Sequence, residues 1–138
     1  MNRLLVTGAG GFLGWHLCRL AANTWQVWAT CRSSPVDLPG VVRLELDLTD
    51  EKRTIDAFDR VSPDAVIHAA AAASPDVCEA APAKTAPINE TVPVLLARCC
   101  AKRQVPYVFT STDLVFSGDD PPYAEADDPS PVNVYGRQ

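Results

Sequence analysis

The sequence lacks the composition that nucleic-acid-binding and membrane-spanning proteins have. Its 138 residues carry 12 Lys and Arg against 17 Asp and Glu, which gives a formal net charge of −5 and a pI of about 4.8. Because there is no basic excess, we expect no nucleic-acid partner. No apolar run approaches the ~20 residues that a helix needs to cross a bilayer, so we expect no membrane partner.

Cysteine is present, but its pattern indicates neither a disulfide framework nor a zinc site. The number is odd, two of the residues are adjacent and no Cys-x-x-Cys spacing occurs. The five residues are Cys18, Cys31, Cys78, Cys99 and Cys100. We therefore predict reduced thiols in a cytoplasmic protein and no metal site.

Short apolar runs alternate with helical patterns along the chain. The runs that we predict as strands are 3–7, 26–31, 41–46, 64–68 and 105–110. Apolar residues at helical spacing predict helices over 12–23, 49–60 and 83–104. We expect Thr49 to cap the second helix, and Pro93 to delay or kink the third. This order is typical of an α/β fold, and we predict one domain over 1–138, a Rossmann-type doubly wound parallel sheet of about five strands.

The first predicted strand ends in a glycine-rich turn, TGAGGFLG. Gly8, Gly11 and Gly14 are three residues apart, directly after a strand and at the start of a helix. A tight turn, a diphosphate lying on helix N–H groups and a helix packed on a sheet all need residues without a Cβ atom. Because this strand-to-helix context is present, we predict a dinucleotide site that also includes Phe12 and Leu13, rather than a purely structural turn.

The end of the second strand bears on which dinucleotide binds. An NAD site usually has an acidic residue there to bind the ribose hydroxyls, whereas this chain reads TCRSS. Arg32 could pair with the 2′-phosphate of NADP, aided by Ser33 and Ser34, or it could be a solvated surface arginine. We predict a preference for NADP(H), with NAD(H) as the alternative cofactor.

Two later strand ends add to the predicted cofactor site. Asp47 follows the third strand, where it could reach the adenine amino group or cap the next helix. A run of small residues follows the fourth strand and begins with Ala69, Ala70 and Ala71. We predict that this run lets the backbone approach the cofactor ribose and nicotinamide.

Together these motifs resemble those of the extended short-chain dehydrogenases/reductases. The resemblance includes TGxxGxxG, the pair Asp47 and Leu48, HAAA after the fourth strand and STDLVF after the fifth. Its most specific part is to the dTDP-4-dehydrorhamnose reductase branch, in the order STDLVFSG, PYAEADDPSP, NVYGRQ. It implies an NADP(H)-dependent reductase of a nucleotide-linked 4-keto-6-deoxysugar. An NAD-dependent sugar-nucleotide epimerase or dehydratase, or a non-catalytic NAD(P)-binding regulatory protein, remains the alternative.

The resemblance also implies the catalytic residues. Tyr135 would be the general acid and Thr112 the hydroxyl that binds the substrate oxygen, with Ser111 as the alternative and with Asn89 as a supporting residue. The lysine of the family's Tyr-x-x-x-Lys pair would follow Gln138. We therefore expect a chain truncated before a sixth strand and a substrate domain, inactive alone, with a nucleotide-sugar substrate in the full-length protein and an exposed sheet edge that could form a homodimer.

Overall fold

A five-stranded parallel sheet forms the centre of the molecule. The computed structural model describes residues 1–33 and 36–138, so Ser34 of the predicted cofactor site lies outside the described residues. The strands are β1 (Arg3–Thr7), β2 (Gln26–Cys31), β3 (Val41–Glu45), β4 (Ala65–His68) and β5 (Tyr107–Phe109). All four neighbouring pairs are parallel, and the order is β3-β2-β1-β4-β5. The predicted Rossmann-type sheet is confirmed.

Helices cover both faces of this sheet. They are α1 (Phe12–Ala21), α2 (Glu51–Val61), α3 (Pro75–Ala80), α4 (Pro82–Ala86), α5 (Val92–Arg103) and α6 (Val134–Arg137). One apolar core includes Phe58 of α2 and Leu96 of α5, and a second core on the other face includes Cys18 of α1. No helix in the described part of the chain is long and apolar enough to cross a membrane.

The order of the strands reverses beside β1. The chain runs outward from β1 through β2 to β3, and then crosses back so that β4 and β5 extend the sheet on the other side. In open parallel sheets, ligands bind beyond the carboxyl ends of the strands at such a reversal. The loops after β1 and β4 therefore lie where a ligand of such a sheet binds.

The inward face of α1 differs from what apolar spacing indicates. Its buried residues are Gly14 and Cys18, whereas the side chains of Phe12 and Leu20 are 85% and 66% exposed. A Cβ atom on Gly14 would collide with the carbonyl oxygen of Gly8. The helix therefore packs against the glycine turn through its small residues, and Phe12 and Leu20 face outward, whereas Leu17 packs partly buried against the core.

The predicted cap of α2 is wrong by one residue. Asp50, not Thr49, is the N-cap, and its Oδ1 accepts a hydrogen bond from the Arg53 N–H at 3.0 Å. Thr49 instead donates from its N–H and its hydroxyl to Asp47 Oδ1, at 3.0 and 2.7 Å. Asp47 therefore orders the turn before the helix and is not the cap.

The predicted helix over 83–104 is divided by a π-helical turn. This turn spans Pro87–Thr91, and the Val92 N–H donates to the carbonyl of Pro87, five residues earlier. Pro93 then lies in the first turn of α5, where its missing N–H is tolerated. The expectation that Pro93 delays the regular helix is confirmed, and the π turn connects α4 to α5.

Candidate functional site

A cavity of about 520 Å³ opens where the strand order reverses. Its walls come from the loops that follow the first four strands, together with α4 and the π turn. The lining residues are Gly8, Gly10, Gly11, Thr30, Cys31, Arg32, Ser33, Leu46, Asp47, Leu48, Thr49, Ala69, Ala70, Ala71, Ala72, Lys84 and Ile88. Nine of the twelve predicted cofactor residues line this cavity, and Arg32 and Ser33 are among them.

Gly8 joins two of these loops. It has φ +72°, in the region that only glycine adopts readily, and a Cβ atom there would lie 2.5 Å from the carbonyl oxygen of Ala69. The glycine turn is thus in direct backbone contact with the alanine run after β4. The floor of the cavity is made of main chain.

Gly11 has a different role from Gly8. A Cβ atom on Gly11 would meet only the Gly8 carbonyl oxygen, at 3.3 Å. Gly11 is the N-cap of α1, and no side chain caps the helix there. The first N–H groups of a helix have no partners within the helix and attract anions. The amino end of α1 can therefore hold a phosphate group.

Three predicted residues of the glycine turn are not among those lining the cavity. The side chains of Phe12 and Leu13 are 85% and 48% exposed, and Gly14 is buried against the turn. The cofactor roles of Phe12, Leu13 and Gly14 therefore stay predictions. Gly10, which sequence reasoning passed over, lines the cavity.

Arg32 and Asp47 lie on neighbouring walls of the cavity. Hydrogen bonds from the Thr49 hydroxyl and N–H lower the pKa of Asp47, and the positive charge of Arg32 contributes to the same effect. Arg32 therefore acts electrostatically on the Asp47 carboxylate. A carboxylate with a lowered pKa is ionised at neutral pH and can accept hydrogen bonds from a ligand.

A smaller cavity of about 190 Å³ adjoins the first, because Ala70 and Ala71 line both. Thr112, Ser111 and Tyr135 all line this second cavity. The structure therefore brings the predicted catalytic residues together, next to the predicted cofactor site.

The Thr112 hydroxyl already has local hydrogen bonds. It accepts from the Leu114 N–H at 3.2 Å and lies 3.2 Å from Asp113 Oδ1. Thr112 thus caps the short 3₁₀ turn Asp113–Val115, which is the structural role that a Ser/Thr pair at a strand end often has. Thr112 nevertheless lines the smaller cavity.

Tyr135 is held in the short helix α6. Asn133 caps that helix by accepting from the Gly136 N–H at 2.7 Å, and Glu79 Oε2 accepts from the Val134 N–H at 3.2 Å. Burial raises the pKa of the Tyr135 phenol, and the Cys78 thiol adds to the rise. The phenol is therefore protonated at neutral pH, as a proton donor must be.

Asn89 connects the alanine run to the end of the chain. Its Oδ1 accepts from the Ala72 N–H at 2.8 Å, and its Nδ2 donates to Gln138 Oε1 at 2.9 Å. Asn89 is at the centre of the π turn, and π turns are frequent at functional sites. It positions the loop that separates the two cavities.

Comparison with known proteins agrees with this geometry. A family model described as the RmlD substrate binding domain matches residues 1–138. The chain is 35% identical over 133 residues to the probable low-salt glycan biosynthesis reductase Agl14 of Haloferax volcanii, covering 96% of this chain and 44% of that protein.

Two solved structures have the same fold. A hypothetical dTDP-4-dehydrorhamnose reductase from Sulfolobus tokodaii superimposes with a TM-score of 0.90 at 37% identity, covering 98% of this chain and 48% of that one. UDP-glucose 4-epimerase from Brucella ovis, in complex with NAD, gives 0.87 at 28% identity, with coverages of 99% and 44%. The chain spans less than half the length of each of these three proteins.

Proposed function

The chain belongs to the family of the RmlD substrate binding domain, and on that premise we propose that it is the NADP(H)-binding half of a reductase. The substrate would be a nucleotide-linked 4-keto-6-deoxysugar. The similarity to a structure described as a dTDP-4-dehydrorhamnose reductase supports this reaction class. A cytoplasmic location and a homodimer are further expectations, the latter because Val108 and Phe109 of the edge strand β5 are about half exposed.

The cavity beneath the uncapped amino end of α1 is the observation that carries the proposal. Gly8 and Gly11 let main chain approach a ligand there, and Asp47 and Leu48 border the side where an adenine would lie. A cofactor bound in this way would supply the hydride for the reduction of a ketone. The chain's own groups would bind its diphosphate, ribose and adenine.

NADP(H) is the preferred cofactor in this proposal because of Arg32. The end of β2 offers no carboxylate for a ribose 2′-hydroxyl, and Arg32 and Ser33 line the cavity beside it. A guanidinium group binds a phosphate through paired hydrogen bonds.

We expect the wild-type chain to bind NADPH about 10-fold more tightly than NADH, as one charge-assisted contact provides. Arg32→Met should lower the affinity for NADPH to that for NADH and leave NADH binding unchanged. Arg98→Met, on the exposed side of α5, is the control with the same loss of charge. Calorimetric titration measures the affinities of the wild-type chain and both variants. Equal affinity of the wild-type chain for NADPH and NADH would remove the role proposed for Arg32.

In the proposed reaction Tyr135 protonates the developing alkoxide and Thr112 binds the same oxygen. The raised pKa of Tyr135 keeps its phenol protonated but makes it a weak acid at neutral pH, and in the part of the chain that the structure describes burial and Cys78 cause that rise. We therefore expect residues 1–138 alone to give no NADPH oxidation above background with a dTDP-linked 4-keto-6-deoxysugar. Robust turnover in this spectrophotometric assay would contradict the proposal that this half is inactive alone.

A sugar-nucleotide epimerase is the second candidate, favoured by the likeness to the NAD complex of UDP-glucose 4-epimerase. Such an enzyme keeps its cofactor through the cycle, so NAD would copurify with the protein. The cofactor titration above separates the two, because an epimerase would bind NAD(H) at least as tightly as NADP(H).

A further inference from the structure

A second positively charged side chain, that of Lys84, lines the larger cavity, and sequence reasoning missed it. Its charged lining residues, among those that the structure describes, are Arg32, Asp47 and Lys84. Arg32 follows β2, whereas Lys84 belongs to α4, on the wall formed with the alanine run. Arg32 and Lys84 thus line the cavity from different parts of the fold.

Lys84 is held in place by its neighbours in α4. Thr85 is buried and its hydroxyl donates to the carbonyls of Ala81 and Pro82. The Pro82 carbonyl also accepts from Gln138 Nε2 at 3.1 Å. This helix is therefore anchored on its inner side, and the Lys84 side chain is left exposed toward the cavity.

The Lys84 ammonium has no ion-pair partner among the residues that the structure describes. In the described ranges, the ion pairs within 4.0 Å join Arg43 to Glu45 and Arg103 to Asp59. Because no carboxylate of the described residues forms an ion pair with Lys84, its exposed side chain can bind an anionic ligand in the cavity. Lysine binds phosphate as a compact point charge and does not need the planar geometry of arginine.

We propose that Lys84 binds the diphosphate that NADP(H) and NAD(H) share, and so contributes to the affinity for both cofactors. This inference rests on the proposed function. The wall that carries Lys84 includes Ala69 and Ala70, which contact Gly8 of the glycine turn, and a diphosphate lies over that turn in dinucleotide sites. Arg32, at the end of β2, lies instead where the adenosine ribose is bound.

The test compares Lys84→Met with Lys102→Met in the full 138-residue chain. Methionine keeps much of the apolar stem and removes the charge, and Lys102 lies exposed in the last turn of α5. We expect Lys84→Met to weaken NADPH, NADH and ADP by a similar factor of about 10, with the preference for NADPH over NADH unchanged. Lys102→Met should match the wild-type chain, and added salt should narrow the difference between the two variants.

Three outcomes overturn the proposal. Equal affinities of Lys84→Met and Lys102→Met would show that the Lys84 ammonium contacts no phosphate. A loss confined to NADPH would place Lys84 on the 2′-phosphate instead of the diphosphate. Failure of the wild-type chain to bind any of the three nucleotides would overturn both this proposal and the cofactor function. That result differs from a failure of the Lys84 proposal alone, because it is seen in the wild-type chain before any substitution.

Discussion

Gly8→Ala is expected to destabilise the chain by about 2–5 kcal/mol and to abolish nucleotide binding. The left-handed backbone of residue 8 costs a side chain about 1–2 kcal/mol, and overpacking adds about 1–3 kcal/mol. The added Cβ atom would lie 2.5 Å from the Ala69 oxygen, so the glycine turn and the alanine run would have to separate. That separation removes the floor of the cavity.

Gly40→Ala is the matched control for this experiment. Gly40 has φ +76°, nearly the value of Gly8, but nothing lies within 4 Å of an added Cβ atom. It should therefore show the cost of the backbone conformation alone, about 1–2 kcal/mol. Urea denaturation of the two variants measures the difference, and equal losses would show that the contact between Gly8 and Ala69 is not tight.

The second large effect is a loss of stability in acid through His68. Burial lowers the pKa of His68 from 6.5 to about 4. Between pH 6.5 and pH 4, His68 therefore binds a proton in the unfolded chain but not in the folded chain. The free energy of unfolding falls as the pH is lowered through this range. Over that window the expected contribution is about 3 kcal/mol.

The surroundings of His68 explain why the ring stays neutral. Its Nδ1 lies 2.6 Å from the buried Thr7 hydroxyl, and its Nε2 is buried without a partner among the described residues. Phe109 stacks beside the ring, with centroids 5.7 Å apart. No group in this set is placed to stabilise an imidazolium ion.

His68→Asn tests this assignment. Asparagine can keep a hydrogen bond to Thr7 but does not titrate, so the variant should lose stability at pH 7 and show a flatter dependence on acid. His16→Gln, at the other histidine, should leave the acid dependence in place. Urea melts between pH 4 and pH 7 measure both, and an unchanged slope in His68→Asn would assign the acid effect to other groups.

Most of the sheet could be predicted from the sequence because its strands read as short apolar runs. β1 and β2 have the predicted bounds, and β3, β4 and β5 are shorter by one to three residues. The face of α1 could not be predicted by the same logic. Gly14 determines it by lacking a side chain, which hydrophobic spacing does not register.

The residues of the candidate site could be predicted where a motif directly follows a strand. They could not be predicted where a helix far along the sequence contributes residues to the cavity wall. Gly8, Arg32 and Asp47 stand at strand ends, and each lines the cavity. Lys84 and Ile88 are one helical turn apart, and that spacing alone does not indicate what the helix faces. The two prolines signalled an irregular helix, but the hydrogen bonds of Asn89 in the π turn to Ala72 and Gln138 join residues far apart in the sequence.

Titration of the wild-type chain with NADPH, followed by calorimetry, tests the central claim most directly. The account predicts saturable binding of one NADPH per chain, stronger than that of NADH, in a sample that melts cooperatively. A folded sample that binds neither nucleotide at millimolar concentration would contradict the assignment of the cavity at α1 as a dinucleotide site.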